Sequence, residues 1–278
     1  MKAAILLLAA AGAQAQTGDV IPEIKELQRK LGFDHTRNFE HRSDHQRAFY
    51  RCYYTGKLEL PASYDGLRLK QGTEGCSVDE SKYDVFYYPA EAVANGSAPV
   101  TTSLAAAPLE RVLVVVPHED FHESREARKA PPPLDEASAT LAGFLTAAEF
   151  ARQRYGETSE VYQNLSREPE LFLRKAEIVN RYHAKVSELY AAKLNRETAL
   201  VQKVRLFVEA QRECEAIQPD PRAFNKCLSA PNNAGLAFDF TYTRHYPRFY
   251  ELYQSNGRQI GPTLDALRRA SVSNEPRP

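Results

Sequence analysis

From Leu109 almost to the carboxyl end, apolar residues recur every three or four positions, and that periodicity constrains the chain more than any other feature. In "DEASATLAGFLTAAEFARQRYG", Ala137, Leu141, Phe144, Leu145 and Ala148 share one helical face, and Gly156 closes the helix. The segment from Leu171 to Cys214 is rich in Ala, Leu, Glu, Lys and Arg, with Val179, Tyr182, Val186 and Leu189 stepping by three and four, which predicts two long helices. The stretch before this region has a different texture. "AFYRCYYTGKLELPASYDGLRL" and "YDVFYYPAEAV" are aromatic, short and broken by Gly, Pro and Asp, which favours strands and loops. Ahead of them, "DVIPEIKELQRKLGF" reads as a short amphipathic helix, with Asp19 as cap, Pro22 in the first turn and Ile24, Leu27 and Leu31 on one face. The expected fold is mainly α, a helical region over 104–278 preceded by a smaller, loop-rich α+β region over 16–103, with one continuous domain as the alternative division.

The first residues, "MKAAILLLAAAGAQAQTG", join a lysine to an apolar run and then to an Ala-x-Ala site at Ala13 and Ala15. This predicts a signal peptide over 1–15, cleaved near Ala15 so that the mature chain starts near Gln16, and an exported protein, periplasmic or extracellular. The apolar run is too short for an anchor, which needs roughly 18 residues or more. Export gives meaning to the four cysteines, because disulfides persist in oxidising compartments. Cys52 with Cys76, and Cys214 with Cys227, form two local pairs; free buried thiols are the alternative. The 36 basic and 36 acidic side chains cancel, so nothing in the charge balance points to nucleic acid or to a membrane surface.

Chemistry enters at "VVVPHEDFHE", residues 114–123, where two histidines stand four apart with a glutamate after the first. Four residues advance a helix by little more than one turn, so His118 and His122 project from one face and can grip one cation. Zn²⁺ accepts such nitrogens and takes three protein ligands plus water in catalytic sites. Glu119 is placed to take the proton of that water. Pro117 suits the first turn of the helix that carries the pair, with the preceding "VLVVV" run burying the segment. A third ligand has to come from a neighbouring helix, and "LDEASATLAGF" offers Glu136 after a proline turn, with Ala139, Thr140 and Gly143 small enough for a close approach. The alternative for Asp135 and Glu136 is the acidic first turn of a helix. A second pair at the same spacing, His41 and His45 with His35 nearby, has no carboxylate after its first histidine and reads as a polar surface loop.

The blocks "VVVPHEDFHE", "DEASATLAGF" and "NNAGLAFDFTYTRHYPRFYEL", spanning roughly 112–253, resemble a family of bacterial exported zinc aminopeptidases. The resemblance implies His118, His122 and Glu136 as zinc ligands, Glu119 as general base and a peptide or protein as substrate. Such a mechanism also calls for a hydrogen-bond donor to the tetrahedral oxyanion, and Tyr242 is the candidate, with His245 in reserve. The alternative for both is plain aromatic packing in a helix. Asn232 and Asn233 are candidates to orient the site or to mark a turn. The Gly-x-Met-Glu-Asn stretch with which zinc aminopeptidases bind a free amine is absent, which leaves an endopeptidase, or a hydrolase of another amide such as that of a cell wall, open. A reading of a different class is an exported helical binding or scaffold protein with a structural or degenerate metal site.

Overall fold

The structure is a computed structural model that describes residues 20–123, 130–219 and 227–272. The signal peptide and the Asp19 cap fall outside the described residues. Nine helices and three strands occur among the described residues: α1 (Val20–Lys30), β1 (Phe49–Gly56), β2 (Arg68–Gln71), β3 (Tyr83–Ala90), α2 (Thr102–Ala105), α3 (Leu109–His122), α4 (Pro132–Tyr155), α5 (Glu160–Ala191), α6 (Arg196–Glu215), α7 (Asn233–Thr243), α8 (Tyr246–Ser255) and α9 (Ile260–Val272). The protein is mainly helical with a small sheet near its amino end, as the periodicity predicts.

The centre is α4. Its residues from Leu134 to Ala147 are all buried except for partly covered Asp135, and a helix apolar on every side has to lie inside a bundle. α3, α5, α7, α8, α9 and α1 pack around it. A single buried cluster runs through these helices and into the sheet, joining Ile24 and Leu27 of α1 to Tyr53 and Phe86 of the strands and Phe238 of α7. At about 1.5–3 kcal/mol per fully buried large side chain, Ile24 and Leu27 suffice to dock an 11-residue helix that would not hold alone. Asp120 adds a polar clamp to that docking. Its buried carboxylate accepts from Thr36 Oγ1, from Asn38 Nδ2 at 3.2 Å and from Lys25 Nζ at 3.2 Å, so α1 and the loop after it are tied to α3.

One expectation about α3 needs correction. Pro117 is not in the first turn: the helix starts eight residues earlier, at Leu109, and the whole "VLVVV" run is helical. Proline in a helix interior removes the hydrogen bond to residue i−4. Here the loss is outweighed because Val112 to Pro117 are all buried between α1 and α4, so packing rather than propensity sets the helix.

The sheet has strand order β2-β1-β3, all antiparallel, which makes β1 central. α7 lies on one face of it, where the Phe238 ring is 4.8 Å from Phe86, 5.1 Å from Tyr88 and 5.6 Å from Tyr53. Asn232 caps α7 by accepting from the Gly235 amide at 3.0 Å and donates to the Val85 carbonyl at 2.9 Å. Asn233 donates to the carbonyls of Lys57 and Glu59, and accepts from the Tyr190 hydroxyl. Both asparagines therefore fasten α7 to β3 and to the loop after β1. Gly235 lets the segment before α7 fold back against the first turn of the helix, because a Cβ there would sit 2.4 Å from the Ala230 carbonyl oxygen. Two buried ion pairs complete the frame: Lys175 of α5 with Asp239 of α7 at 3.0 Å, and Lys203 of α6 with Asp84 of β3.

Both local cysteine pairs are bonded, Cys52–Cys76 and Cys214–Cys227. Such bridges fit a chain that folds in an oxidising compartment. No helix among the described residues is long and apolar enough to cross a membrane.

Candidate metal centre

α3 and α4 run side by side because their facing positions are small. Ala139 and Thr140 are wholly buried, and a Cβ on Gly143 would meet the Val114 carbonyl oxygen at 3.0 Å and His118 Cβ at 3.2 Å. The backbone of α4 is thus held close against the turn of α3 that carries the first histidine. The first turn of α4 then reaches the His118–His122 face with two successive acids.

His118 Nε2 and His122 Nε2 stand 3.1 Å apart, and Glu136 Oε2 is 3.3 Å from each. The three atoms form a nearly equilateral triangle. Ligand atoms held at roughly 2.0–2.1 Å around a tetrahedral Zn²⁺ are themselves about 3.3 Å apart, so the triangle has the dimensions of one face of that tetrahedron. His118, His122 and Glu136 form a group able to hold a metal ion, and it contains three such side chains among the described residues.

The chemistry of the donors agrees with the spacing. His122 Nδ1 lies 2.8 Å from Asp135 Oδ2, and an ionised carboxylate only accepts, so the Nδ1 proton points at Asp135. The Nε2 lone pair of His122 then faces the centre of the triangle, toward Nε2 of His118 and an anionic oxygen. Among the described residues no nitrogen meets hydrogen-bond geometry at Glu136 Oε2. Electron pairs that converge like this repel unless a proton or a cation lies among them. The buried position of the group pushes the His122 pKa down, but the Asp135 and Glu136 carboxylates outweigh burial and hold it well above the ordinary value. Burial likewise raises the Glu136 carboxyl, and the two imidazoles outweigh it and carry it well below the usual range. The site therefore concentrates negative charge where a cation would sit.

Two hydrogen bonds around the triangle fix its orientation. Asp135 sets the His122 ring, and the Tyr64 hydroxyl donates to Glu136 Oε1 at 2.9 Å, leaving Oε2 for the centre. Tyr64 begins a short 3-10 turn, and its own amide is anchored on Thr241 Oγ1 of α7 at 2.8 Å. Burial, then the Glu136 charge, raises the Tyr64 hydroxyl far above the ordinary phenol value, so it remains a donor.

The triangle opens into a cavity of about 330 Å³ whose wall includes Glu119, Glu123, Tyr88, Tyr242 and Arg51. Glu119 accepts from the Ala94 amide at 2.6 Å, which holds the carboxylate at the mouth formed by the segment after β3. Tyr242 stacks near His118, with ring centroids 6.3 Å apart and planes 22° from parallel. Burial first, and the Glu136 charge second, push the Tyr242 hydroxyl well above its ordinary pKa, so it too is protonated at neutral pH. His245 is elsewhere: it precedes α8, is buried, and is not part of the cavity wall. Asn232 and Asn233 also stay outside the cavity and hold α7 in place.

Three participants escaped the sequence reading. Asp135 was legible only as an acidic helix start, although an acid directly before Glu136 is the signal that could have found it, since neighbouring positions in a first turn reach two sides of one histidine. Tyr64 and Arg51 lie more than fifty residues before the histidines and carry no local signal at all. A comparison with family models gives one match, a family described as "Putative aminopeptidase", over residues 90–276. Comparisons with curated proteins and with solved structures give no match.

Proposed function

Since the chain belongs to this putative aminopeptidase family, we propose that it is a zinc-dependent peptidase that hydrolyses peptide bonds with an activated water. The observation that carries the reading is the triangle of His118 Nε2, His122 Nε2 and Glu136 Oε2, sized for a tetrahedral cation and open on one side to a cavity. Two imidazoles and one carboxylate suit Zn²⁺, and an unfilled fourth position distinguishes catalytic from structural sites. A bound zinc ion would polarise the substrate carbonyl and bring the pKa of water from 15.7 to about 7.

The remaining work falls to side chains of this protein. Glu119 takes a proton from the attacking water and passes it to the leaving amine as the C–N bond breaks. Tyr242, held protonated, donates a hydrogen bond to the carbonyl oxygen as negative charge develops there. Asp135 keeps the His122 ring turned with Nε2 inward, and Tyr64 does the same for Glu136. Export after cleavage near Ala15 belongs to the same reading and is supported by the two disulfides.

The test joins metal analysis of the purified full chain to digestion of a peptide library by the same sample. About one zinc per chain and cleaved peptides are expected. One zinc per chain with no cleaved peptide would instead mark a structural site in an exported helical binding protein.

A further inference from the structure

Arg51 stands in the cavity wall opposite in charge to the four carboxylates that line it. Glu119, Glu123, Asp135 and Glu136 all border the same space. Arg51 is half-buried, and its Nη1 donates to the Tyr53 hydroxyl at 3.1 Å. Other cations removed from solvent in this protein meet a carboxylate: Lys25 meets Asp120, Lys175 meets Asp239, and Arg111 meets Glu91 at 2.7 Å. Arg51 meets a phenol, and it has no ion pair among the described residues. A phenol cannot neutralise a guanidinium, so the charge stays exposed to whatever enters the cavity.

The position is also rigid. Arg51 lies mid-strand on β1, the central strand, paired with Gln71 on one side and Tyr88 on the other. Its neighbour Cys52 is bonded to Cys76, and Tyr53 is packed on Phe238 and Tyr64. A guanidinium on such a support, oriented by the Tyr53 hydroxyl, presents a planar set of donors that matches a carboxylate. Among the described residues four acids border the cavity, so an anionic group of a substrate is favoured near Arg51 and the cation and disfavoured beside the carboxylates.

We propose that Arg51 binds a carboxylate of the substrate, so that the site selects short peptides that carry a negative charge beside the bond to be cut. This rests on the peptidase reading for the meaning of the cavity, but the contact itself is a binding property. Arg51 lies outside residues 90–276, so the family match says nothing of it. The carboxylate can come from the free carboxyl end of a di- or tripeptide or from an Asp or Glu side chain.

Three probes separate these sources: Leu-Ala, Leu-Ala-amide and Leu-Glu-amide. Their affinities are measured by calorimetry on the zinc-loaded full chain carrying Glu119→Gln, with and without Arg51→Met, and initial rates are measured on the chain with Glu119 intact. Leu-Ala is expected to bind at least about tenfold tighter than Leu-Ala-amide, a ratio of the size that one charge-assisted contact supplies, and Arg51→Met should bring the ratio to about one. If Leu-Glu-amide shares the advantage, a side-chain carboxylate serves as well; if it does not, the carboxyl end is what is read. Arg51→Lys should keep a reduced preference, and Arg51→Gln replaces the methionine variant if that one fails to fold. A ratio near one in the parent, the same ratio in the Arg51 variants, or loss of all three probes alike overturns the proposal. Should the ratio appear while no peptide is ever hydrolysed, the peptidase reading fails and the carboxylate contact stands.

Discussion

Two pairs of histidines in this chain have the same spacing and opposite fates. His118 and His122 lie on α3, turned inward, and their ring centroids are 4.7 Å apart. His41 and His45 lie in an irregular stretch and are both exposed. The backbone there is engaged elsewhere: the Val100 amide donates to the His41 carbonyl at 2.8 Å and the Ser43 amide to the Val100 carbonyl at 3.1 Å. Such a bridge holds the chain extended, where residues four apart are not stacked over one another. His35 approaches Glu40 at 3.8 Å, but both side chains are open to water. A spacing of four becomes a pair of ligands only when a helix stacks the rings and a buried neighbour supplies an acid. α3 meets both conditions because its apolar run forces it against α4.

The contrast can be broken or sharpened by substitution. The largest effect is expected from His118→Ala, which should reduce zinc to a small fraction of an equivalent per chain and abolish hydrolysis, whereas His41→Ala and His45→Ala should leave the zinc content as it was. Metal analysis of the three proteins decides this, and zinc loss on removing His41 would erase the distinction. Glu119→Gln should keep the zinc and lower kcat by about 10²- to 10⁴-fold, the ordinary contribution of a positioned acid or base. Steady-state kinetics on a peptide found in the library digest would show it, and an unchanged rate would remove Glu119 from the mechanism.

Asp120, in the middle of the same motif, should behave differently from its neighbours. Asp120→Ala leaves Lys25, Thr36 and Asn38 without their shared acceptor. Loss of one partner from a buried pair costs about 3 kcal/mol at the lower end of the range, and Lys25, one-fifth exposed, belongs at that end. Denaturant unfolding should report that loss, with zinc still bound by the folded fraction. Asp135→Asn should weaken zinc about 10- to 100-fold while stability changes little, because it frees the His122 ring without emptying the core. Competition with a chromogenic chelator measures it. The smallest effect, a few-fold in the same assay, is expected from Tyr64→Phe, since Glu136 keeps both imidazoles when the phenol is gone.

The legible part of the site was the part written in local spacing. His118, Glu119 and His122 follow from one helical turn, and Glu136 follows from a proline turn ahead of a helix with small residues. The structure puts Glu136 Oε2 within 3.3 Å of both imidazoles. Tyr242 could be placed in the cavity only through its resemblance to a known motif, and His245, three residues later, is not part of the cavity wall. Pro117 misled because a helix-starting residue and a buried helix interior look alike when the preceding valines fit either a strand or a helix.

By itself the sequence determined the helical body, the small aromatic sheet, the local pairing of cysteines and the two-histidine face, because each is a matter of periodicity or of residues a few positions apart. Tertiary structure alone decided that Asp135 turns the His122 ring and Tyr64 the Glu136 carboxylate, and that Arg51 lines the same cavity. These contacts join residues 13, 72 and more positions apart along the chain. Small residues in α4 announce that it can approach α3 closely, but which distant side chains then meet depends on how the packed surfaces of α3, α4, α7 and the sheet fit together, and for Tyr64 and Arg51 no short run of residues carries that.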